Sequence, residues 1–310
     1  MPLDPQMQAI LDAMPAAGDA DLSQVPPEVM RPAFDSVGPP GDPQPVAKVE
    51  NRSVPGPAGE IPVRLYTPEG DGPFPVLMFF HGGGFVLCSL DSHDALARAL
   101  CNGVGAVVMS VDYRLAPEAK FPAGPEDCYA ATRWAAENSA EIGGDGSRLA
   151  VSGDSAGGNL SAVVSLMAQK HGGPAIAHQL LIYPVTSSAT DTPSYRENGE
   201  GYFLTKQMMD WFWGHYLVDA SAGSDPLASP LLAESLVGQP PATVITAEFD
   251  PLRDEGLAYA KRLDEAGVPT LVKNYEGVVH GFLSMFDSVD KGREALELGC
   301  KRLREAFASA

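Results

Sequence analysis

The sequence predicts an α/β protein: a mainly parallel sheet covered by helices on both faces, with a helical insertion standing above it. Two observations carry this. Short apolar runs bounded by turn residues recur through the chain, each fitting a strand buried on both faces. Helical patterns lie between most of those runs, and alternation of strand and helix argues for parallel pairing.

Residues 1–50 are rich in Pro and Gly, with apolar patches at Met7, Ile10, Leu11 and Met14 and at Val29, Met30 and Phe34, so they read as an arm holding one or two short helices. Ile61 to Tyr66 alternates with period two, the pattern of a half-exposed strand. Val76 to Phe80, Ala106 to Val111, Leu149 to Ser152, Leu180 to Tyr183, Thr243 to Ala247 and Leu271 to Tyr275 are the runs expected to be buried strands. Helices are expected over Ser92 to Cys101, Pro125 to Asn138, Asn159 to Lys170, Gly256 to Ala266 and Gly292 to Phe307. Val185 to Val237 is too long for a simple crossover. It carries Tyr202-Phe203-Leu204 and Met208-Met209-Asp210-Trp211-Phe212-Trp213, which makes it the helical insertion.

Composition narrows the function. The 310 residues, 45% of them apolar, sit near the upper size of one α/β domain. With 21 Lys and Arg against 40 Asp and Glu the formal charge is -19, which repels phosphate backbones and anionic lipid, so neither nucleic acid nor a membrane is an expected partner. No apolar run approaches the roughly 20 residues that cross a bilayer. The first residues lack the charged-then-apolar layout of a secretory signal, and no export is expected. Cys88, Cys101, Cys128 and Cys300 show no Cys-x-x-Cys spacing and read as small buried hydrophobes in a reducing, cytoplasmic setting. The six histidines form no closely spaced ligand pair, so no metal and no cofactor is expected.

Chemistry concentrates in a few motifs. Gly153-Asp154-Ser155-Ala156-Gly157-Gly158 lies between an expected strand and an expected helix, the setting of a nucleophile elbow, and makes Ser155 the candidate nucleophile. Chymotrypsin-like proteases carry a similar string, but they are all-β, whereas this Ser leads into a helix. His81-Gly82-Gly83-Gly84-Phe85 follows a buried strand. Its successive glycines leave backbone N–H groups uncovered, so those of Gly83 and Gly84, with that of Ala156, are the candidate oxyanion hole. His81 would brace that turn. In this architecture the acid and then the His follow the Ser along the chain. His171 and His178 read as surface residues at the far end of the sheet, and His215 falls in the aromatic insertion. His280, in the loop after the last strand, is the candidate base. Asp250, directly after the strand Thr243 to Ala247, is the candidate acid that orients it. Asp254 and Glu255 read as acids at a helix N-terminus, with either as the alternative for the acid.

Together with Asp112-Tyr113-Arg114-Leu115-Ala116-Pro117-Glu118, Phe121-Pro122-Ala123, Asp250-Pro251-Leu252-Arg253-Asp254 and His280-Gly281-Phe282, these motifs resemble the hormone-sensitive-lipase-like carboxylesterases, also called bacterial family IV, from about residue 60 onward. The resemblance implies an α/β-hydrolase fold in which residues 51–184 and 238–310 form the catalytic domain. The arm 1–50 and the insertion 185–237 would form its cap. It implies a small ester with a short acyl chain as substrate, no cofactor, and, as in many members, a homodimer through the last edge strand near Leu271 to Tyr275. It further implies that Arg114 and Glu118 pair or hydrogen-bond beneath the oxyanion loop and that Asp154 bonds neighbouring loops to hold the elbow. Phe203, Met208, Met209, Trp211, Phe212 and Trp213 either line an acyl or alcohol pocket or pack the cap onto the sheet. Rival readings are an amidase, carbamate hydrolase or lactonase using the same three side chains, and a ligand receptor on the same fold like the plant gibberellin receptors. Those receptors lack the His that this chain keeps at 280.

Overall fold

The structure, a computed structural model, describes residues 2–14, 25–35 and 43–310. The stretches of the arm at 15–24 and 36–42 lie outside the described residues. One sheet is built from β1 (Lys48–Gly56), β2 (Gly59–Thr67), β3 (Phe74–Phe80), β4 (Val107–Val111), β5 (Gly144–Asp154), β6 (His178–Ile182), β7 (Ala242–Phe249) and β8 (Thr270–Val279). Its order is β1-β2-β4-β3-β5-β6-β7-β8. β1 and β2 pair antiparallel, as do β2 and β4, and every other neighbour is parallel. β4 and β6 are buried along their whole length, and β3 from Val76 onward, because helices cover both faces of these interior strands.

The helices are α1 (Pro5–Ala13), α2 (Pro27–Asp35), α3 (Asp94–Val104), α4 (Ala123–Glu137), α5 (Ala156–His171), α6 (Pro193–Asn198), α7 (Lys206–Tyr216), α8 (Arg253–Glu265) and α9 (Asp290–Ser309). α4, α5 and α8 pack on one face, and α3 and α9 on the other. Central α5 is buried nearly all round. Its interior Ser161 and Ser165 satisfy their hydroxyls on carbonyls one turn back, Gly157 O and Ser161 O, both at 2.9 Å.

The insertion supplies α6, α7 and two 3₁₀ turns, Ala220–Ser224 and Pro230–Leu232. The arm's two helices part company. α1 lies against β8, with Asp4 N–H donating to Gly277 O at 2.8 Å and Met7 fully buried. α2 faces the insertion and the loop after β3: Val25 O accepts from Trp211 Nε1, and Arg31 donates to Val86 O at 3.0 Å. No helix among the described residues is long and apolar enough to cross a membrane.

Two expectations need correction, and one strand lay outside the expected set. β1 carried no strand signal because only Val54 of its nine residues is buried, so the edge strand lacks an apolar period. Leu271 to Tyr275 is not buried on both faces: Val272 is 43% exposed, since β8 is the opposite edge and is buried mainly from Tyr275 onward. His178 is not a surface residue. It opens β6 inside the sheet, is 1% exposed, and places Nε2 2.9 Å from Thr243 Oγ1.

Burial, reinforced by the nearby Arg302, pushes the His178 pKa down from 6.5 to about 4. The unfolded chain therefore takes up this proton first, so the residue's contribution is intact above about pH 6.5 and is lost as pH falls towards 4. The gap between the two values corresponds to about 3 kcal/mol. Chemical denaturation at stepwise pH should show stability declining across that window, and His178→Gln should flatten the decline.

Candidate active site

β3 and β5 are in register with Phe80 opposite Gly153, so the loops leaving their C-terminal ends start side by side. β5 turns directly into α5 at Ser155, whose φ of 57° and ψ of -117° lie where residues with a side chain are strained. Its N–H is held by Ile182 O at 2.8 Å. The flanking glycines are sterically required. A Cβ on Gly157 would lie 1.8 Å from Phe80 O, and one on Gly153 would lie 2.4 Å from Gly157 O.

This turn presents Ser155 Oγ 3.0 Å from His280 Nε2, and His280 Nδ1 lies 2.7 Å from Asp250 Oδ2. Ser155 is 9% exposed, His280 6% and Asp250 0%. The structure thus joins three residues that stand 125 and 30 positions apart in the chain. With Asp250 accepting from Nδ1–H, the Nε2 lone pair faces the serine hydroxyl. Asp250 is itself oriented: its Oδ1 accepts from Leu252 N–H at 2.8 Å, and its carbonyl accepts from Asn198 of α6 at 3.4 Å. The Tyr183 ring packs 4.6 Å from the His280 ring. Glu255 lies in the first turn of α8 and is buried; its Oε1 accepts from the N–H groups of Thr186 and Ser187 at 2.6 and 3.2 Å.

The loop after β3 uses glycine for close approach. A Cβ on Gly83, at φ 107°, would lie 2.2 Å from Leu87 O, and one on Gly84, at φ 60°, would lie 2.2 Å from the Phe212 ring. Among the described residues nothing accepts from Gly83 N–H or Gly84 N–H. The N–H of Ala156, the first residue of α5, is an orphan donor of the helix terminus. His81 is fully buried with Nδ1 2.7 Å from Gly82 O, and burial together with the facing His93 pushes its pKa down to about 3.

The six insertion residues divide. Phe212 lies on Gly84, and Phe203 lies 3.4 Å from where a Cβ on Gly281, next to His280, would stand. Trp213 packs on Phe85 with ring centres 5.7 Å apart. Trp211 turns away to His215 at 4.4 Å and to the arm at Val25. Met209 is buried in the same apolar cluster, and Met208 packs against it half-buried. Arg114 does not pair with Glu118. It forks onto Asp127 at 2.7 and 2.8 Å, while Glu118 is held at 2.7 and 2.8 Å by Arg31, a residue far upstream that sequence reasoning had no signal to link to it. Among the described residues no cluster of His, Cys, Asp or Glu could hold a metal ion.

A family model described as the alpha/beta hydrolase fold matches residues 77–284. Carboxylic ester hydrolase LipN of Mycobacterium tuberculosis is 50% identical over 250 residues, covering 79% of this chain and 66% of that protein. Carboxylesterase NlhH of the same organism is 41% identical over 312 residues, covering 98% of this chain and 96% of its own. The crystal structure of an alpha/beta hydrolase enzyme from the metagenome of Lake Arreo, Spain, is 43% identical, covers 99% of each chain and superposes with a TM-score of 0.93.

The packing around the elbow makes a direct comparison of two glycines informative. Gly157→Ala should lower stability by about 3 kcal/mol or more, because the Phe80 carbonyl cannot yield without moving β3. Gly214→Ala, inside α7 with open space around it, should leave stability unchanged or raise it by up to about 1 kcal/mol. Thermal unfolding of both variants checks this.

Proposed function

The chain belongs to the hormone-sensitive-lipase-like carboxylesterases of the α/β-hydrolase superfamily and is a carboxylesterase, and on that premise we propose that it hydrolyses short-chain acyl esters through Ser155, His280 and Asp250. The observation that carries this reading is the unbroken contact from Ser155 Oγ through His280 to Asp250, at 3.0 and 2.7 Å. His280 Nε2 takes the hydroxyl proton as Ser155 Oγ attacks the ester carbonyl carbon. The carbonyl oxygen gathers negative charge and is met by the N–H groups of Gly83, Gly84 and Ala156, which need no reorganisation because the loop and the helix terminus already hold them. The tetrahedral intermediate collapses, His280 returns its proton to the departing alcohol, and an acyl-serine remains. Water then attacks that acyl group with His280 again as base, and the acid leaves. Asp250 keeps the imidazole in the required tautomer and stabilises the imidazolium formed twice per cycle.

Close cover supports a short acyl chain. Ser155 is only 9% exposed, and the Phe212 ring lies directly on Gly84, so the space above the reacting carbonyl is confined by the insertion. Among the described residues β8 ends the sheet, and its first half, with Val272 exposed, supports pairing of two copies along that strand.

Hydrolysis of p-nitrophenyl esters from acetate to palmitate, followed by absorbance, should be fast for the short chains and fall off steeply for the long ones. Ser155→Ala should abolish it, and Asp250→Asn should lower kcat on the order of 10⁴-fold. Near-full turnover in Asp250→Asn would reject Asp250 as the acid.

A further inference from the structure

Three consecutive glycines form the least self-ordered stretch a chain can offer, whereas donors to a developing oxyanion must keep their aim to within about 0.5 Å. The structure supplies the missing restraint from outside the loop. Gly82 N–H donates to Asp154 Oδ1 at 3.0 Å, and Gly82 O accepts from His81 Nδ1 at 2.7 Å, so side chains pin the residue on both sides. His81 is in turn stacked on Tyr113, whose hydroxyl donates to His81 O at 2.8 Å. Gly83 O accepts from Val86 N–H and Leu87 N–H at 3.1 and 2.8 Å. With these groups bonded, the N–H groups of Gly83 and Gly84 are the ones left to point away. The carboxylate explains the first glycine as well, because a Cβ on Gly82 would lie 2.5 Å from Asp154 Oδ2.

Asp154 is held in its turn. It is 6% exposed, and His93 Nε2 lies 3.2 Å from Oδ1 and 3.3 Å from Oδ2. His93, 9% exposed at the start of α3, places Nδ1 2.9 Å from Ser92 Oγ, which accepts from Ser89 N–H and lies 2.9 Å from Ser89 O. Burial alone would raise the Asp154 pKa, but His93, and behind it His81 and His280, outweigh burial and keep it below the ordinary carboxylate value. Among the described residues neither Asp154 nor His93 hydrogen-bonds to Ser155 Oγ or to His280.

We propose that Asp154 and His93 are positioning residues that aim the oxyanion-binding amides of Gly83 and Gly84 by fixing Gly82, an inference that rests on the function proposed above. Asp154 supplies the shorter bond to Gly82 N–H, and His93, whose Nε2 also lies 3.3 Å from that N–H, holds the carboxylate at the angle that makes it. The role is geometric. An amide in place of the carboxylate can still accept from Gly82 N–H, and its NH₂ can donate to His93 Nε2 once the imidazole proton moves to Nδ1 and donates to Ser92 Oγ.

The test compares p-nitrophenyl butyrate with its thionoester, whose C=S sulfur is a poor acceptor for amide donors, in wild type, Asp154→Ala, Asp154→Asn and His93→Ala. Wild type should strongly favour the oxygen ester. Asp154→Ala should lose about 10²-fold in kcat on that ester, the scale of one lost oxyanion donor. Its KM should stay within a few-fold, and its thionoester rate should change little, so the preference collapses. Asp154→Asn should keep at least about a third of kcat and most of the preference. His93→Ala should lose about tenfold with a proportional fall in preference, and it decides the matter should Asp154→Ala not fold. An unchanged preference in folded Asp154→Ala or His93→Ala overturns the inference, as does an Asn variant as impaired as the Ala variant, which would assign the effect to charge near His280. A wild type indifferent to the sulfur substitution, or turnover retained in Ser155→Ala, removes the underlying function instead.

Discussion

The site depends on one close backbone approach: the turn between β5 and α5 lies against the carbonyl of Phe80 at the end of β3, with room only for a hydrogen at Gly157. That contact forces the positive φ of Ser155, which lifts its hydroxyl clear of both strand and helix. It also sets the beginning of the glycine loop beside the elbow, so Asp154 on one segment can reach Gly82 on the other. The proposed nucleophile, the amides proposed to meet the oxyanion and the carboxylate beside them follow from two neighbouring parallel strands that end in register. The strain at Ser155 is sustained because the ends of β3 and β5 that lead to it, and all of β6, are buried and have no freedom to relax it.

Above this platform, cover comes from segments outside the sheet. Phe212 of α7 lies on the glycine loop after β3, and α6 hands Asn198 to the backbone at Glu248 and Asp250. The insertion is thus bonded to the loop that carries the acid. The arm adds Arg31, whose guanidinium joins Glu118, Ala116 O and Val86 O in one fork between α2 and the two loops beneath it. The side chains proposed for chemistry are consequently nearly dry, and in such surroundings hydrogen bonds and fixed dipoles act more strongly than they do in water.

Legibility in the sequence followed the physics of burial. Interior strands such as β3 and β4 were readable because two covered faces demand a mostly apolar run, interrupted in β4 only by Ser110. β1 was not, because an edge strand that buries Val54 alone leaves no periodic trace. His178 was misplaced for a related reason: a polar residue at a strand's first position looks like loop, and only the neighbouring Thr243 on β7 shows that it is enclosed and bonded. Ser155 and the glycines around it were visible because steric exclusion writes itself locally, as small residues at fixed spacing. Arg31 with Glu118, His93 with Asp154 and Asn198 with Asp250 left no such mark, since each partner is an ordinary polar residue whose mate lies 87, 61 or 52 positions away.

The amino-acid order by itself therefore determined the layered sheet, the turn that must expose Ser155 and the family to which the chain belongs, because these follow from local rules of burial, backbone sterics and chain order. Tertiary structure alone decided which carboxylate meets which cation or amide, which aromatic of the insertion lies on the glycine loop, and how tightly the site is covered. Those outcomes depend on distances between segments remote in the chain, and long-range proximity has no local signature in composition or spacing.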